Sequence, residues 1–271
     1  MVLKPQASLP MYDLPELRAA GDALWAGFAR AFGAEGLEAV PARLTRGDDV
    51  MALWTAPDLF FSQTCGYPLT HDLAGRVTLV ATPIYDIPGC EGGRYRSEIL
   101  VRADDRAAGL ADLRGCRAAA NGADSQSGYS ALRHAVAGLA EDGRFFASTA
   151  FTGSHRASMR EVAQGAADVC AVDIVTYRLL CRVDPGLTGA LRVLAHSAEA
   201  PALPYVTRRG IAADDLRRLQ AGLMRAVGDP ALKDVRADLL LAGVVVLPLS
   251  AYDRILELER AARAAGYPEL A

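Results

Sequence analysis

The five cysteines of this 271-residue chain, at positions 65, 90, 116, 170 and 181, are odd in number and include no Cys-x-x-Cys pair. That pattern disfavours both a zinc site and a disulfide framework. A reduced protein is the expectation, with Cys170 and Cys116 as small buried residues. Basic stripes are missing as well. Net charge is −3, and the doublets Arg208-Arg209 and Arg217-Arg218 stand apart from other clusters. Neither a nucleic-acid partner nor an anionic membrane surface fits such a chain. No long apolar run is present: the longest, residues 239–249, is eleven residues and contains Gly243 and Pro248. It cannot span a bilayer, so direct membrane insertion is not expected. The N-terminal stretch Met1 to Asp13 has no apolar core of the roughly 7–15 residues that a secretory leader carries. The expectation is therefore a cytoplasmic protein as written, or a periplasmic one whose leader has been removed. Walker loops, internal repeats and low-complexity tracts are absent. His71, His134 and His196 lack metal-ligand partners at useful spacing, and no metal or cofactor is expected.

What is present is an alternation. The chain is 51% hydrophobic, so a sizeable core and no disorder are expected. Residues 7–11, 37–44, 58–63 and 77–82 read as strands. A helix is predicted over 14–32, with Leu17, Leu24, Trp25 and Phe28 on one face, and a shorter one around 48–54. Trp25 and Trp54 fall at helical spacing among apolar neighbours and are read as core. The turn-rich Asp86-Ile-Pro-Gly-Cys-Glu-Gly-Gly is the sharpest composition break. A second series follows, with strands at 97–102, 117–120, 145–151 and 169–172 and helices at 128–139, 158–164 and 174–181. Asp184-Pro185-Gly186 ends it. Residues 191–195 read as a strand returning to the first lobe, and a helical tail from 214 to 265 is broken at Gly228-Asp-Pro230 and by the run 244–247. Mixed, mostly parallel sheets flanked by helices are expected. The lobes are expected over 1–86 with 192–271, and over 87–191, joined by two crossings.

Between residues 121 and 173 three segments share one grammar. Asn121-Gly-Ala-Asp-Ser125-Gln126-Ser127-Gly128-Tyr129, Phe151-Thr152-Gly153-Ser154-His155 and Gly165-Ala-Ala-Asp168 through Asp173 each carry an apolar run into small polar residues and then a helical pattern. Such turns present backbone N–H groups at a positive helix end, where an oxyanion binds. Burying an anion requires many donors, and hydroxyls and amides supply them through charge-assisted bonds. Plain structural roles exist for the same residues. Ser125 and Asp173 are good N-caps, Ser158 stands at capping-box spacing from Glu161, and half-buried tyrosines commonly just pack. A histidine at a helix start is expected neutral, and a neutral imidazole still donates one bond.

Together these residues resemble the phosphate/phosphite/phosphonate-binding family of ABC-transporter solute-binding proteins. The similarity runs over roughly residues 9–207. It rests on Ser125-Gln126-Ser127-Gly128, Thr152-Gly153-Ser154-His155-x-x-Ser158 and Gly165-x-x-Asp168 leading to Asp173. Met11-Tyr12-Asp13, Gln63-Thr64-Cys65-Gly66-Tyr67-Pro68, Tyr95-x-Ser97 and Pro201-x-Leu-Pro204-Tyr205 support it. The resemblance implies a type II periplasmic-binding-protein fold, α/β in two lobes with the ligand between them. It implies that Ser125, Gln126, Ser127, Gly128 and Tyr129 hold ligand oxygens through hydroxyls and amides, with Ser154 and His155 holding others. Tyr12 and Tyr95 would close over the ligand, Thr64 would face it, and Asp173 would meet its substituent or a protonated oxygen. The implied partners are a small phosphorus oxyanion and an ABC permease, with ligand sensing as another role. A hydrolase built on Ser127, His155 and Asp173 is the competing reading, weakened because Ser127 is not in a Gly-x-Ser-x-Gly elbow.

Overall fold

The computed structural model describes residues 4–47 and 49–271. Asp48, at the start of the short helix expected around 48–54, lies outside them. In chain order the first part is β1 (Gln6–Ser8), α1 (Arg18–Ala34), α2 (Val50–Trp54), β2 (Leu59–Gln63), α3 (Gly66–Thr70), β3 (Val77–Tyr85) and β4 (Arg94–Tyr95). The middle is β5 (Ser97–Arg102), β6 (Arg117–Ala120), α4 (Ala131–Val136), β7 (Ser148–Phe151), α5 (His155–Ala163), β8 (Val169–Asp173), α6 (Ile174–Val183), α7 (Pro185–Gly189), β9 (Leu191–His196) and β10 (Ala200–Pro201). The last part is β11 (Tyr205–Arg208), α8 (Ala213–Gly228), α9 (Lys233–Asp238), β12 (Leu241–Val245) and α10 (Asp253–Ala264).

The chain divides into two compact units, Met1–Arg94 with Pro201–Ala251, and Tyr95–Ala200 with Tyr252–Ala271. The expected lobes of 1–86 with 192–271 and 87–191 differ from this at their ends. Above all, the final helix belongs to the second unit, which adds a third passage of the chain at 251/252 to the two expected. The reason is its apolar stripe. Ile255, Leu258 and Ala262 are buried, and Ala262, Tyr267 and Leu270 join the core of Ile99, Leu132 and Val169.

The first unit holds a five-stranded sheet in the order β1-β2-β11-β3-β12, and the second one in the order β7-β6-β8-β5-β9. Both are mixed sheets, as expected, although antiparallel pairs outnumber parallel ones. β1 pairs parallel with β2, and β6 parallel with β7 and β8. β11 runs antiparallel to β2 and β3, β12 to β3, and β5 to both β8 and β9. Parallel neighbours need a crossover within one unit. β5, β9 and β11 are strands by which the chain enters or leaves a unit, so no local crossover fixes their direction.

Local departures from expectation have local causes. Residues 37–44 form bends rather than a strand, with Ala39 at φ 52°. Residues 7–11 give a strand only to Ser8, because Pro10 starts a 3-10 turn through Tyr12. The tail breaks where expected, but the apolar run there is β12, a sheet edge beside β3. Among the described residues no helix is long and apolar enough to cross a membrane, and no disulfide joins the cysteines.

Candidate functional site

In the second unit the adjacent strands β7, β6 and β8 run parallel and end together at Phe151, Ala120 and Asp173. Each end leads into a helix start. Ligands of open α/β sheets bind outside such carboxyl ends, and here the three segments singled out in the sequence meet.

After β6 the chain makes a π-type turn, Gln126–Ser130, buried over Ser125, Gln126, Ser127 and Gly128. Ser125 is its cap, its Oγ accepting from the Gly128 amide at 3.0 Å. The Ser125 carbonyl accepts from the amides of Tyr129 at 3.3 Å and Ser130 at 3.0 Å. Two of the amides expected to hold an oxyanion, those of Gly128 and Tyr129, are therefore already bonded within the turn. The Ser127 and Gln126 amides have no intrachain partner among the described residues. The Ser125 hydroxyl keeps its own hydrogen to donate, because accepting uses only a lone pair. Tyr129 turns elsewhere: its hydroxyl accepts from the Leu270 amide at 3.1 Å and its ring stacks on Phe151 at 6.0 Å. It anchors the C-terminal segment.

Gly128 is needed for a reason that the sequence does not display. A methyl group on it would sit 1.8 Å from Asn121 Oδ1. Asn121, at the end of β6, is a residue that sequence reasoning missed, although an asparagine directly after the run Arg117–Ala120 was the available signal. Its Oδ1 is buried without a hydrogen-bond partner, as is Oε1 of Gln126. Gly128→Ala should displace Asn121 and destabilise the protein by about 1–3 kcal/mol, the usual cost of overpacking. A thermal melt checks this, and an unchanged melting temperature would show that Asn121 relocates freely.

After β7, Gly153 adopts φ 83° and Ser154 caps α5, its Oγ accepting from the Ala157 amide at 3.2 Å. Ser154 is exposed. The helix therefore starts at His155, three residues earlier than expected. Ser158 is inside it and pairs with Thr152 Oγ1 at 2.6 Å instead of forming a capping box. After β8, Asp173 caps α6: Oδ1 accepts from the Thr176 amide at 2.9 Å, and Oδ2 accepts from the Thr176 hydroxyl. Asp168 lies at the opposite end of β8, where it accepts from the Arg117 amide at 2.8 Å and the Arg117 guanidinium at 2.7 Å. That guanidinium holds the Asp168 carboxyl below the usual carboxylate range.

The centre of the cluster is His155, whose side chain is 13% exposed. Its Nε2 lies 2.9 Å from Ser127 Oγ and 3.5 Å from Asp173 Oδ2. Nδ1 is buried and has no hydrogen-bond partner among the described residues. Burial lowers the His155 pKa from its ordinary value, and Asp173 and the Ala171 carbonyl oppose this. A hydrolytic triad needs serine on one ring nitrogen and the acid on the other. Here both face Nε2, so Asp173 cannot orient the imidazole for proton abstraction from Ser127. Among the described residues no His, Cys, Asp and Glu cluster could hold a metal ion.

The structure thus gathers Ser125, Gln126, Ser127, Gly128, His155 and Asp173 at one sheet edge. Tyr95 is also in the second unit and is 2% exposed. Tyr12 and Thr64 belong to the first unit. Tyr12 packs edge to face on Tyr85 at 5.5 Å, and Thr64 is fully buried with its amide bonded to the Pro204 carbonyl at 3.0 Å.

The profile of a family described as the periplasmic substrate-binding protein of phosphonate ABC transporters matches residues 56–252. Comparison with curated proteins gives no match. Among solved structures, the chain is similar to PhnD1 from Prochlorococcus marinus in complex with methylphosphonate. The identity is 13% and the TM-score 0.77, over 96% of this chain and 98% of that one. It is also similar to a binding protein component of an ABC phosphonate transporter from Pseudomonas aeruginosa, at 16% identity and TM-score 0.76, over 97% of this chain and 87% of that one. A Xanthomonas citri protein bound to chloride gives 16% identity and TM-score 0.72, over 97% and 98% of the two chains. At these identities the structural likeness establishes the fold.

Proposed function

This chain belongs to the family of periplasmic substrate-binding proteins of phosphonate ABC transporters, and from that premise we propose that it captures a small phosphorus oxyanion, a phosphonate, phosphite or phosphate, for delivery to an ABC permease. The family is one of binders, not enzymes, and nothing in it supports the hydrolase reading. The observation that carries the ligand class is the convergence of donors at one sheet edge. Ser127 Oγ and His155 Nε2, 2.9 Å apart, stand beside a turn with two unbonded amides, those of Gln126 and Ser127. The hydroxyls of Ser125 and Ser154 add donors after capping their own helices. Gly128 and Tyr129 contribute backbone shape. Asp173 accepts from a protonated ligand oxygen or an amino substituent. Tyr12, Thr64 and Tyr95 are proposed ligand contacts on the resemblance alone. The periplasm is the compartment that suits such a role.

A thermal-shift titration with methylphosphonate, aminoalkylphosphonates, phosphite, phosphate and sulfate tests the reading. Ligand at a hundred times its Kd stabilises the native state by about 2.7 kcal/mol. A selective shift with one phosphorus compound names the ligand. No shift with any of them would mean that this chain's site has been retuned away from the family's substrates.

A further inference from the structure

Tyr129 stands between the two turns that supply the candidate donors. It follows Gly128 directly, and its amide closes the first turn on the Ser125 carbonyl at 3.3 Å. Its ring stacks on Phe151 at 6.0 Å, and Phe151 leads straight into Thr152-Gly153-Ser154-His155. Phe151 is 59% exposed, so surrounding core does not fix this stack. A segment distant in sequence does. The Tyr129 hydroxyl accepts from the Leu270 amide at 3.1 Å, and the Arg133 guanidinium lies 5.5 Å from the Tyr129 ring. Residues 267–271 are themselves held at several points. The Leu270 carbonyl accepts from Thr149 Oγ1 at 2.7 Å and the Pro268 carbonyl from Arg133 at 2.5 Å. The Ala271 carbonyl accepts from the amides of Phe145 at 2.7 Å and Phe146 at 2.9 Å. Tyr267 and Leu270 are buried.

We propose that residues 267–271 act as a strap on the oxyanion site, with Tyr129 as the positioning residue between them. The strap fixes Tyr129 through the Leu270 amide, and Tyr129 holds the Ser127 and His155 turns at the spacing an oxyanion needs. The inference rests on the ligand class proposed above. Three bonds close the first turn, from the amides of Gly128, Tyr129 and Ser130, and all of them end on Ser125. They keep the turn's shape but do not place it against the neighbouring turn. The Phe151 stack does that, and the Leu270 bond ties the stack to a buried segment. Without that tie the two turns drift apart. Only the fraction of molecules with Ser127 and His155 in register then binds, and the apparent Kd rises by the inverse of that fraction.

The test is a double-mutant cycle of Tyr129→Phe and Thr149→Val, read by calorimetry with whichever of methylphosphonate, phosphite and phosphate binds the wild-type protein. Y129F keeps the ring and deletes the acceptor of the Leu270 amide. T149V loosens the strap at the Leu270 carbonyl and changes neither turn. Each single variant should bind about two- to tenfold more weakly, the span of one neutral hydrogen bond. In the Y129F background T149V should add nothing, because the strap acts through the hydroxyl already lost. Hydrogen exchange at the amides of residues 128–130 in ligand-free protein should quicken in every variant, a local change that a role in global stability alone does not produce. T149V carries the test by affinity and exchange should Y129F not fold. Wild-type affinity in either folded variant, unchanged exchange at these amides, or additive losses in the double variant overturns this inference and leaves the ligand class standing. Absence of saturable binding of all three compounds to the wild-type protein overturns both.

Discussion

Replacing Ser127 and His155 together with alanine should abolish oxyanion binding and leave the protein folded. Ser127 is 4% exposed and bonded to His155 at 2.9 Å, so both groups are fixed before a ligand arrives. A hydrogen bond to a charged group contributes about 1.5–3 kcal/mol. Loss of two corresponds to a weakening of roughly a hundredfold to ten-thousandfold, since each 1.4 kcal/mol is tenfold. The single variants should not add to the double, because residues in one network couple. Each single loss already disrupts the other's orientation. The cost to folding is smaller, because Ser125, Ser154 and Asp173, not Ser127 or His155, cap the helices. Calorimetry against the ligand identified by thermal shift, with circular dichroism as the folding control, checks this. A folded double variant with wild-type affinity would remove the site from this sheet edge.

Phe61→Ala should be among the most destabilising single substitutions in the chain. Aromatic residues make up only 7% of the sequence, so their concentration in one place matters. Phe61, on β2 and fully buried, lies 5.4 Å from the ring of Phe32, 5.9 Å from Trp25, 6.2 Å from Phe28 and 5.1 Å from Tyr205. It is the ring that joins α1 to the sheet through both β2 and β11. Burial also pushes the Tyr205 phenol upward. Truncating a buried phenylalanine costs about 3–5 kcal/mol, because transfer free energy is lost and the cavity closes only in part. Urea denaturation should show a lower midpoint with an unchanged slope. A change below about 1 kcal/mol would mean that the neighbouring rings collapse into the space. Because Phe61 is buried among the rings of α1 and β11 and is none of the proposed ligand contacts, this variant should bind its oxyanion with normal affinity wherever it remains folded.

The candidate site was legible wherever its chemistry is local. A strand end followed by serine, glycine and a helical pattern identifies an amide-presenting turn, and the candidates at 125–128, 154–155 and 173 were proposed on that pattern. It was illegible where contacts are distant in sequence. Asn121 became visible only through its closeness to Gly128, and Tyr129 proved to hold Leu270, 141 residues away. Ser158 showed the capping-box spacing, but a helix starting at His155 gave that serine to Thr152 instead.

By itself the sequence determined the strands at 97–102 and 117–120, the helix start at Ile174 and the family. Each of these depends on nearest-neighbour periodicity, capping chemistry and motif order. Only the tertiary structure decided that the final helix packs into the second unit, that β5, β9 and β11 run antiparallel to their neighbours, and that Ser127 and Asp173 face the same nitrogen of His155. Periodicity reports that a face is buried. It does not report against what, and the direction of a strand or the nitrogen that meets a carboxylate is fixed by which distant segment supplies the other side.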